Sequence, residues 1–360
     1  MKFILALLLT LTSLFAVDAL IEKALSKGLK PIPSDYKTLK AQVDDTDNPM
    51  TIPKIILGKK LFNDQNLSKD RTIACASCHD ITKGGEDSIA TAIGYHKLEN
   101  PSHLNSPTVL NTAYSKHLFW DGRASSLREQ AGGPMQAPFE MASTPKLIVQ
   151  RVKENPEYAE LFQDAYNSSD TVTFKNITKA IAVYEKTLVT RGDFDRYLEG
   201  DTTALNEQAK RGLNLFINLG CKGCHFGTAV GGQKIQQFPL RDYNSIIRIT
   251  STYHEDTDKR EVTDVGFNFK MYHPYPFKNI GGFMGQDGNK KFRVPILRNI
   301  SKTAPYFHNG VVKTLRKAIS IMSTYQIGVD LTPSQLDSME EFLKSLDGEI
   351  VDFKLSEVKQ

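Results

Sequence analysis

Cys75-Ala76-Ser77-Cys78-His79 and Cys221-Lys222-Gly223-Cys224-His225 decide the reading of this chain. Both read C-x-x-C-H, the attachment signature of c-type haem. The two thiols bond covalently to the porphyrin, and the adjacent histidine supplies the proximal iron ligand. A lone C-x-x-C also suits a thiol redox pair or half a zinc site. Here two copies, each with its histidine, use all four cysteines of the chain. That points to a dihaem c-type cytochrome.

An exported chain with four cysteines would ordinarily suggest two disulfides, and this chain does start like an exported one. Lys2 is followed by an apolar and hydroxyl run from Phe3 to Val17 and then Ala19. The stretch 1–19 reads as a secretory signal peptide cleaved near Ala16 or Ala19. It is short for a membrane anchor and lacks a basic flank. No other stretch suits a span, so a soluble periplasmic protein is expected. With 360 residues, 40% hydrophobic and 24% charged, disorder, collagen and a polytopic membrane protein are excluded. The net charge is 45 − 41 = +4 without a concentrated basic stripe, which argues against a nucleic-acid partner.

The chain looks duplicated around the two motifs. Gly58-Lys59-Lys60-Leu61-Phe62 precedes the first and Gly212-Leu213-Asn214-Leu215-Phe216 the second, both G-x-x-L-F. Leu205, Ala209, Leu213 and Phe216 keep helical spacing, with Gly220 placed to end the helix. Thr144-Pro145 opens a helix running towards Tyr166. Ile177, Ile181, Tyr184 and Leu188 mark another, and Thr332-Pro333-Ser334-Gln335 forms a capping box before Leu336, Met339, Leu343 and Leu346. Long Gly/Pro-rich loops fall at 226–246 and 272–295, and β alternation is scarce. The expected fold is mainly α, as two cytochrome c-like domains with one covalently bound c-type haem each. The division is 20–190 and 191–349, with a linker around Thr190-Arg191-Gly192-Asp193. The C-terminal tail 350–360 can pack back on the first domain.

A second axial ligand, or its absence, separates electron transfer from catalysis. The remaining candidates are His96, His103, His117, His254, His273 and His308, with Met271, Met284, Met322 and Met339 after the second motif. Spacing alone does not choose among them.

The segments LFWDGRASSLREQAGGPMQAPFEM (118–141), FRVPILRNISKTAPYFHNGVVKTLRKAISIM (292–322) and NSPTVLN (105–111) resemble the bacterial dihaem cytochrome c peroxidases. With both haem motifs in order, the resemblance covers nearly the whole mature chain. It implies that Trp120 lies between the haems, that Glu140 and Gln130 shape the peroxide pocket, and that Met322 is the second haem's axial ligand. It also implies a calcium ion between the domains, bound by the Asn105 side chain and the Thr303 and Pro305 carbonyls, and a homodimer. One position departs from the family. Tyr95 stands where the family usually has a distal histidine, and His96 follows it. A shifted His96 ligand is favoured, with His103 as another candidate. A Tyr95 phenolate and an open site are the other readings.

The expected function is reduction of hydrogen peroxide to water with electrons from a small c-type cytochrome. Electrons would enter at the C-terminal haem and pass by way of Trp120, and Glu140 would carry the proton. The rivals are a dihaem carrier without chemistry, and a related dihaem enzyme that oxidises a protein substrate. The latter group has Tyr where Met322 stands.

Overall fold

Two pairs of crossed helices, each built on a G-x-x-L-F segment, set the architecture. The computed structural model describes residues 18–167, 171–240, 247–267 and 275–355. The apolar run of the expected signal peptide, Met271, His273 and residues 356–360 lie outside these. In chain order the helices are α1 (Ala19–Ser26), α2 (Tyr36–Val43), α3 (Ile52–Phe62), the single turn α4 (Cys75–Cys78), α5 (Leu127–Gln136) and α6 (Pro145–Glu154). There follow α7 (Glu157–Tyr166), α8 (Phe174–Glu185), α9 (Asp193–Leu198), α10 (Glu207–Asn218), α11 (Leu315–Met322) and α12 (Pro333–Ser345). The strands form antiparallel pairs: β1 (Thr190–Gly192) with β6 (Gly348–Ile350), β2 (Ile235–Gln237) with β5 (Lys291–Arg293), and β3 (Ile247–His254) with β4 (Lys259–Phe267). The chain is mainly helical.

The repeated glycine has the same task in both halves. A Cβ on Gly58 would sit 2.0 Å from the Ala180 carbonyl oxygen, so α3 crosses α8 in backbone contact there. A Cβ on Gly212 would sit 1.9 Å from the Ser338 oxygen, where α10 crosses α12. The motif phenylalanines then meet equivalent partners, Phe62 on Tyr184 at 5.4 Å and Phe216 on Phe342 at 5.2 Å between ring centroids. Each crossing organises its own apolar core. One gathers Leu57, Leu61, Phe62, Ile177 and Ile181, the other Leu213, Phe216, Met339, Phe342 and Leu343.

The duplication runs further than the two motifs. Pro107–Asn111 and Pro295–Asn299 each end on an asparagine in the left-handed region, φ 62° and 61°, followed by a 3-10 turn. At equal intervals beyond come Phe119-Trp120-Asp121-Gly122 and Phe307-His308-Asn309-Gly310. Their phenylalanines share φ values of 64° and 67°. Each sits in a tight hairpin, Leu118 bridged to Ala124 and Tyr306 to Val312. Then α5 starts on Ser126 and α11 on Thr314, both side-chain caps. In this register Trp120 matches His308, Asn105 matches Arg293 and Pro134 matches Met322.

The two asparagines converge on the β1–β6 ribbon. Asn111 Oδ1 accepts from the Thr190 N–H and Asn299 Oδ1 from the Gly348 N–H, each at 2.9 Å. The segment expected to be a linker is therefore a strand, with Thr190 buried. Beyond the ribbon the tail packs on the first core, where Phe353 meets Tyr36 edge-on. Residues 19–29, expected with the N-terminal half, pack instead on the second core. Ile21, Ala24 and Leu29 join it, and Lys23 donates to Asn214 and Asn218 on α10.

Two local readings are corrected. The helix expected from Pro145 towards Tyr166 is two helices, because Pro156 forces Asn155 into extended backbone. The scarcity of β structure missed the β3–β4 hairpin, whose β-branched strands, IRITSTYH and KREVTDVGF, flank a polar turn.

Candidate functional site

Each C-x-x-C-H segment lies on the wall of its own cavity. In the first half, α4 makes one turn and the Cys75 carbonyl holds the His79 N–H at 3.0 Å. His79 Nδ1 is 3.3 Å from the Gly85 carbonyl, which sets the ring and leaves Nε2 available as the nitrogen that would bind a metal. Burial lowers the His79 pKa, partly offset by that carbonyl, so the imidazole is neutral, as metal ligation requires. The cavity, about 280 Å³, is lined by Cys75, Cys78 and His79 on one side and by Gln130, Phe139 and Glu140 on another. Gln130 projects from α5, and Glu140 from the turn after it, where its N–H bonds the Ala137 carbonyl. Burial raises the Glu140 pKa, with Arg123 pulling it down.

The second cavity, about 240 Å³, is lined by Cys221, Cys224, His225 and Met322, with Phe216, Leu343 and other apolar groups around them. The His225 N–H bonds the Cys221 carbonyl at 2.9 Å, as in the first half. Burial pushes the His225 pKa down to about 4, against an upward pull from the Val230 and Pro295 carbonyls. Met322 ends α11 where the backbone widens into a π turn over Ser323–Ile327.

These cavities suit c-type haem and not the alternatives. Burial pushes the thiols of Cys75, Cys78 and Cys221 up to about 12, opposite to the lowered values of reactive thiol pairs. Among the described residues no cluster of three or more His, Cys, Asp or Glu is arranged to hold a metal ion, so a zinc site has no ligand set. An apolar slot beside two thiols and a neutral imidazole is what a covalently attached haem needs, and it occurs twice.

Trp120 walls both cavities, together with Asn105 to Thr108 and Arg293. Its indole N–H donates to the Asn105 carbonyl at 2.8 Å, and its own carbonyl accepts from the Arg293 N–H at 2.8 Å. The two matched positions of the repeat thus clasp it from either side. Its repeat partner His308 stands edge-on at 6.4 Å, and burial pushes the His308 pKa down to about 3. The expected calcium residues Asn105, Thr303 and Pro305 all line the second cavity. Asn105 Nδ2 donates to the Ile89 carbonyl at 2.9 Å, which leaves Oδ1 as a free acceptor among the described residues, as an oxygen-seeking cation needs.

None of the three distal candidates reaches the first cavity. Ala92, Ile93 and Gly94 line it, but Tyr95, His96 and His103 do not. His96, the favoured ligand, is exposed with φ 56°. The loop is pinned where Gly94 passes Glu140: a Cβ there would lie 2.2 Å from the Phe139 oxygen, and the Tyr95 N–H bonds the Glu140 carbonyl at 2.7 Å. The backbone turns outward just beyond that contact. Tyr95 packs against His96, tilted, at 4.1 Å between ring centroids and lies under Lys69, while His103 faces Glu99.

Two site residues escaped the sequence reading. Glu185, the last residue of α8, lines the first cavity with Oε2 unpartnered, and burial pushes its pKa up to about 8. Arg293 lines both cavities. A charge directly beside an apolar stripe was the available signal for Glu185, and the match of R-V-P-x-x-x-N to N-S-P-x-x-x-N the signal for Arg293.

Comparison with known proteins gives the family. The di-haem cytochrome c peroxidase family profile matches residues 53–203. Over 339 residues, 94% of this chain and 89% of the relative, the sequence is 38% identical to the cytochrome c551 peroxidase of Pseudomonas aeruginosa. It is 41% identical to that of Nitrosomonas europaea over 83% of this chain and 81% of the relative. The chain belongs to the di-haem cytochrome c peroxidase family. The fold agrees: a MauG-like protein associated with microbial copper homeostasis superposes with a TM-score of 0.67, at 25% identity over 91% of this chain and 95% of that one.

Proposed function

We propose that this haem-dependent peroxidase reduces hydrogen peroxide to two waters in the periplasm, with a small c-type cytochrome as electron donor. The observation that carries this reading is the placement of Glu140 and Gln130 on the wall of the cavity that holds Cys75, Cys78 and His79. A pure electron carrier has no use for a buried acid there. Cys75, Cys78 and His79 would hold one c-type haem, and Cys221, Cys224, His225 and Met322 the other. When bound, the haems supply the two electrons that peroxide consumes.

The remaining steps belong to the chain's own side chains. Glu140, as carboxylate, accepts a proton from one peroxide oxygen and returns it to the departing one. Its raised pKa brings it nearer the working pH, where such transfer is most effective. Gln130 offers both an amide donor and an acceptor to orient the substrate. Phe119 and Phe139 keep bulk water from that proton. Trp120 closes the wall between the cavities and is the aromatic bridge between donor and peroxide sides.

The division of labour has internal support. Met322 lines the second cavity, and the position that matches it in the repeat is Pro134, which lines the first. The proline side chain has no atom to offer a metal, so the first site is proposed to be open where the second has Met322. Calcium at Asn105, Thr303 and Pro305 would brace the wall shared by both cavities. Cleavage near Ala16 is favoured over Ala19, because Asp18 caps α1 and accepts from the Tyr197 hydroxyl at 2.8 Å. Among the described residues no helix is long and apolar enough to cross a membrane. A homodimer completes the proposal and is read by light scattering on the holoprotein.

The experiment is steady-state peroxide consumption by the haem-loaded protein with a reduced c-type cytochrome. Turnover that depends on both reactants is expected. Two bound haems with no peroxide-dependent oxidation of the donor would overturn it and leave the carrier or the enzyme that oxidises a protein substrate.

A further inference from the structure

Arg293 is a buried cation for which the described residues hold no anion. Its backbone is committed, paired with Ile235 in the β2–β5 ribbon and donating to the Trp120 carbonyl. Its side chain is 2% exposed and lies on the wall of both cavities. No carboxylate among the described residues pairs with it, and Nε is buried without an acceptor. Burial lowers its pKa only to about 10, so the group is charged at neutral pH.

The chain itself shows what a buried guanidinium ordinarily requires. Arg298, 1% exposed, meets both oxygens of Asp195 at 2.9 and 2.8 Å, and donates to the Thr228 and Lys30 carbonyls. Each of its three nitrogens has an acceptor there. An isolated buried charge is strongly unfavourable, so a cation that the described residues leave unpaired calls for an anion from beyond them. The repeat sharpens the point. The matching position in the first half is the neutral Asn105, so the cation is specific to the second half's strand and to the wall between the cavities.

We propose that Arg293 is the anchor for a carboxylate of the bound cofactors, its planar guanidinium taking one haem propionate at the wall shared by the two cavities. This rests on the two-haem reading above. Haem is the one anion whose attachment points flank this wall on both sides, and a carboxylate matches the fork of an arginine in two parallel hydrogen bonds. A cation held there favours the electron-richer state of the neighbouring haem, so Arg293 raises its midpoint potential.

The test is a redox titration of the holoprotein for wild type, Arg293→Lys and Arg293→Gln, after counting haems per chain by pyridine haemochrome. Wild type without two haems overturns the two-haem reading itself, and this inference with it. With two haems present, Arg293→Gln lowers at least one midpoint, and Arg293→Lys, which keeps the charge, stays near wild type. Arg293→Gln with two haems and both midpoints unchanged overturns the anchor. If Arg293→Gln does not accumulate, the propionate bending band in the resonance Raman spectrum of Arg293→Lys decides. A shifted band supports a bidentate contact that lysine cannot make, and an unmoved band overturns it.

Discussion

Glu140 and Glu185 are two carboxyls on one cavity with opposite tasks. Glu140 must lose its proton to act, so peroxidase turnover falls on acidification, with a midpoint displaced upward from 4.5 by burial. Glu140→Gln is expected to cut kcat by about 10²–10⁴, to leave both haem spectra intact and to abolish that acid limb. A pH–rate profile of the variant checks it. Glu185 instead stays protonated, with a pKa near 8 against an ordinary 4.5. Between those values the unfolded chain releases the proton and the folded one keeps it, so this group's stabilising contribution falls as pH rises from about 4.5 to 8. Glu185→Gln therefore gains stability over wild type at pH 8 and matches it at pH 4 in urea unfolding of the holoprotein. Of these residues, Glu140 was legible through the motif around it. Glu185 and Arg293 were not, because a charge on an apolar helix or short strand reads as surface until tertiary packing closes over it.

The crossings of α3 with α8 and of α10 with α12 are where the duplication becomes mechanical. Gly212→Ala forces a methyl to 1.9 Å from the Ser338 oxygen, so α10 must lift away from α12. A loss of about 1–3 kcal/mol is expected, at the cost typical of overpacking. α10 leads directly into Cys221, so the absorption of the second haem should shift while that of the first is retained. An equal loss at both haems would argue that the cores are not separate. The G-x-x-L-F pattern made these two helices legible, and the capping box made the start of α12 so. Which helix each one crosses was not, since periodicity marks a buried face without naming what covers it. The hairpin duplication, F-W-D-G against F-H-N-G, escaped for another reason. Its shared feature is a left-handed phenylalanine backbone, and the residue types at the centre differ.

Across the whole molecule, each half is bound to the other by chain that crosses over. α1 packs on the second core and Phe353 on the first, with the β1–β6 ribbon between them. The Asp195–Arg298 pair ties the strand-side wall to the segment at Lys30 and Ile32. Asp195→Asn leaves Arg298 buried and unbalanced, and a loss of about 3–5 kcal/mol is expected in calorimetry of the holoprotein. A contiguous split at residue 190 was the natural reading of the sequence, but exchanged termini leave no compositional mark. Two cavities result, alike in their thiols and imidazole and different where the second has Met322 and the first has Pro134 at the matching position. That difference is the centre of the account, and electron paramagnetic resonance of the fully oxidised holoprotein tests it most directly. One low-spin iron from the Met322 site and one high-spin iron from the open site are predicted. Two low-spin irons, showing a sixth ligand opposite His79 in the resting enzyme, would contradict it.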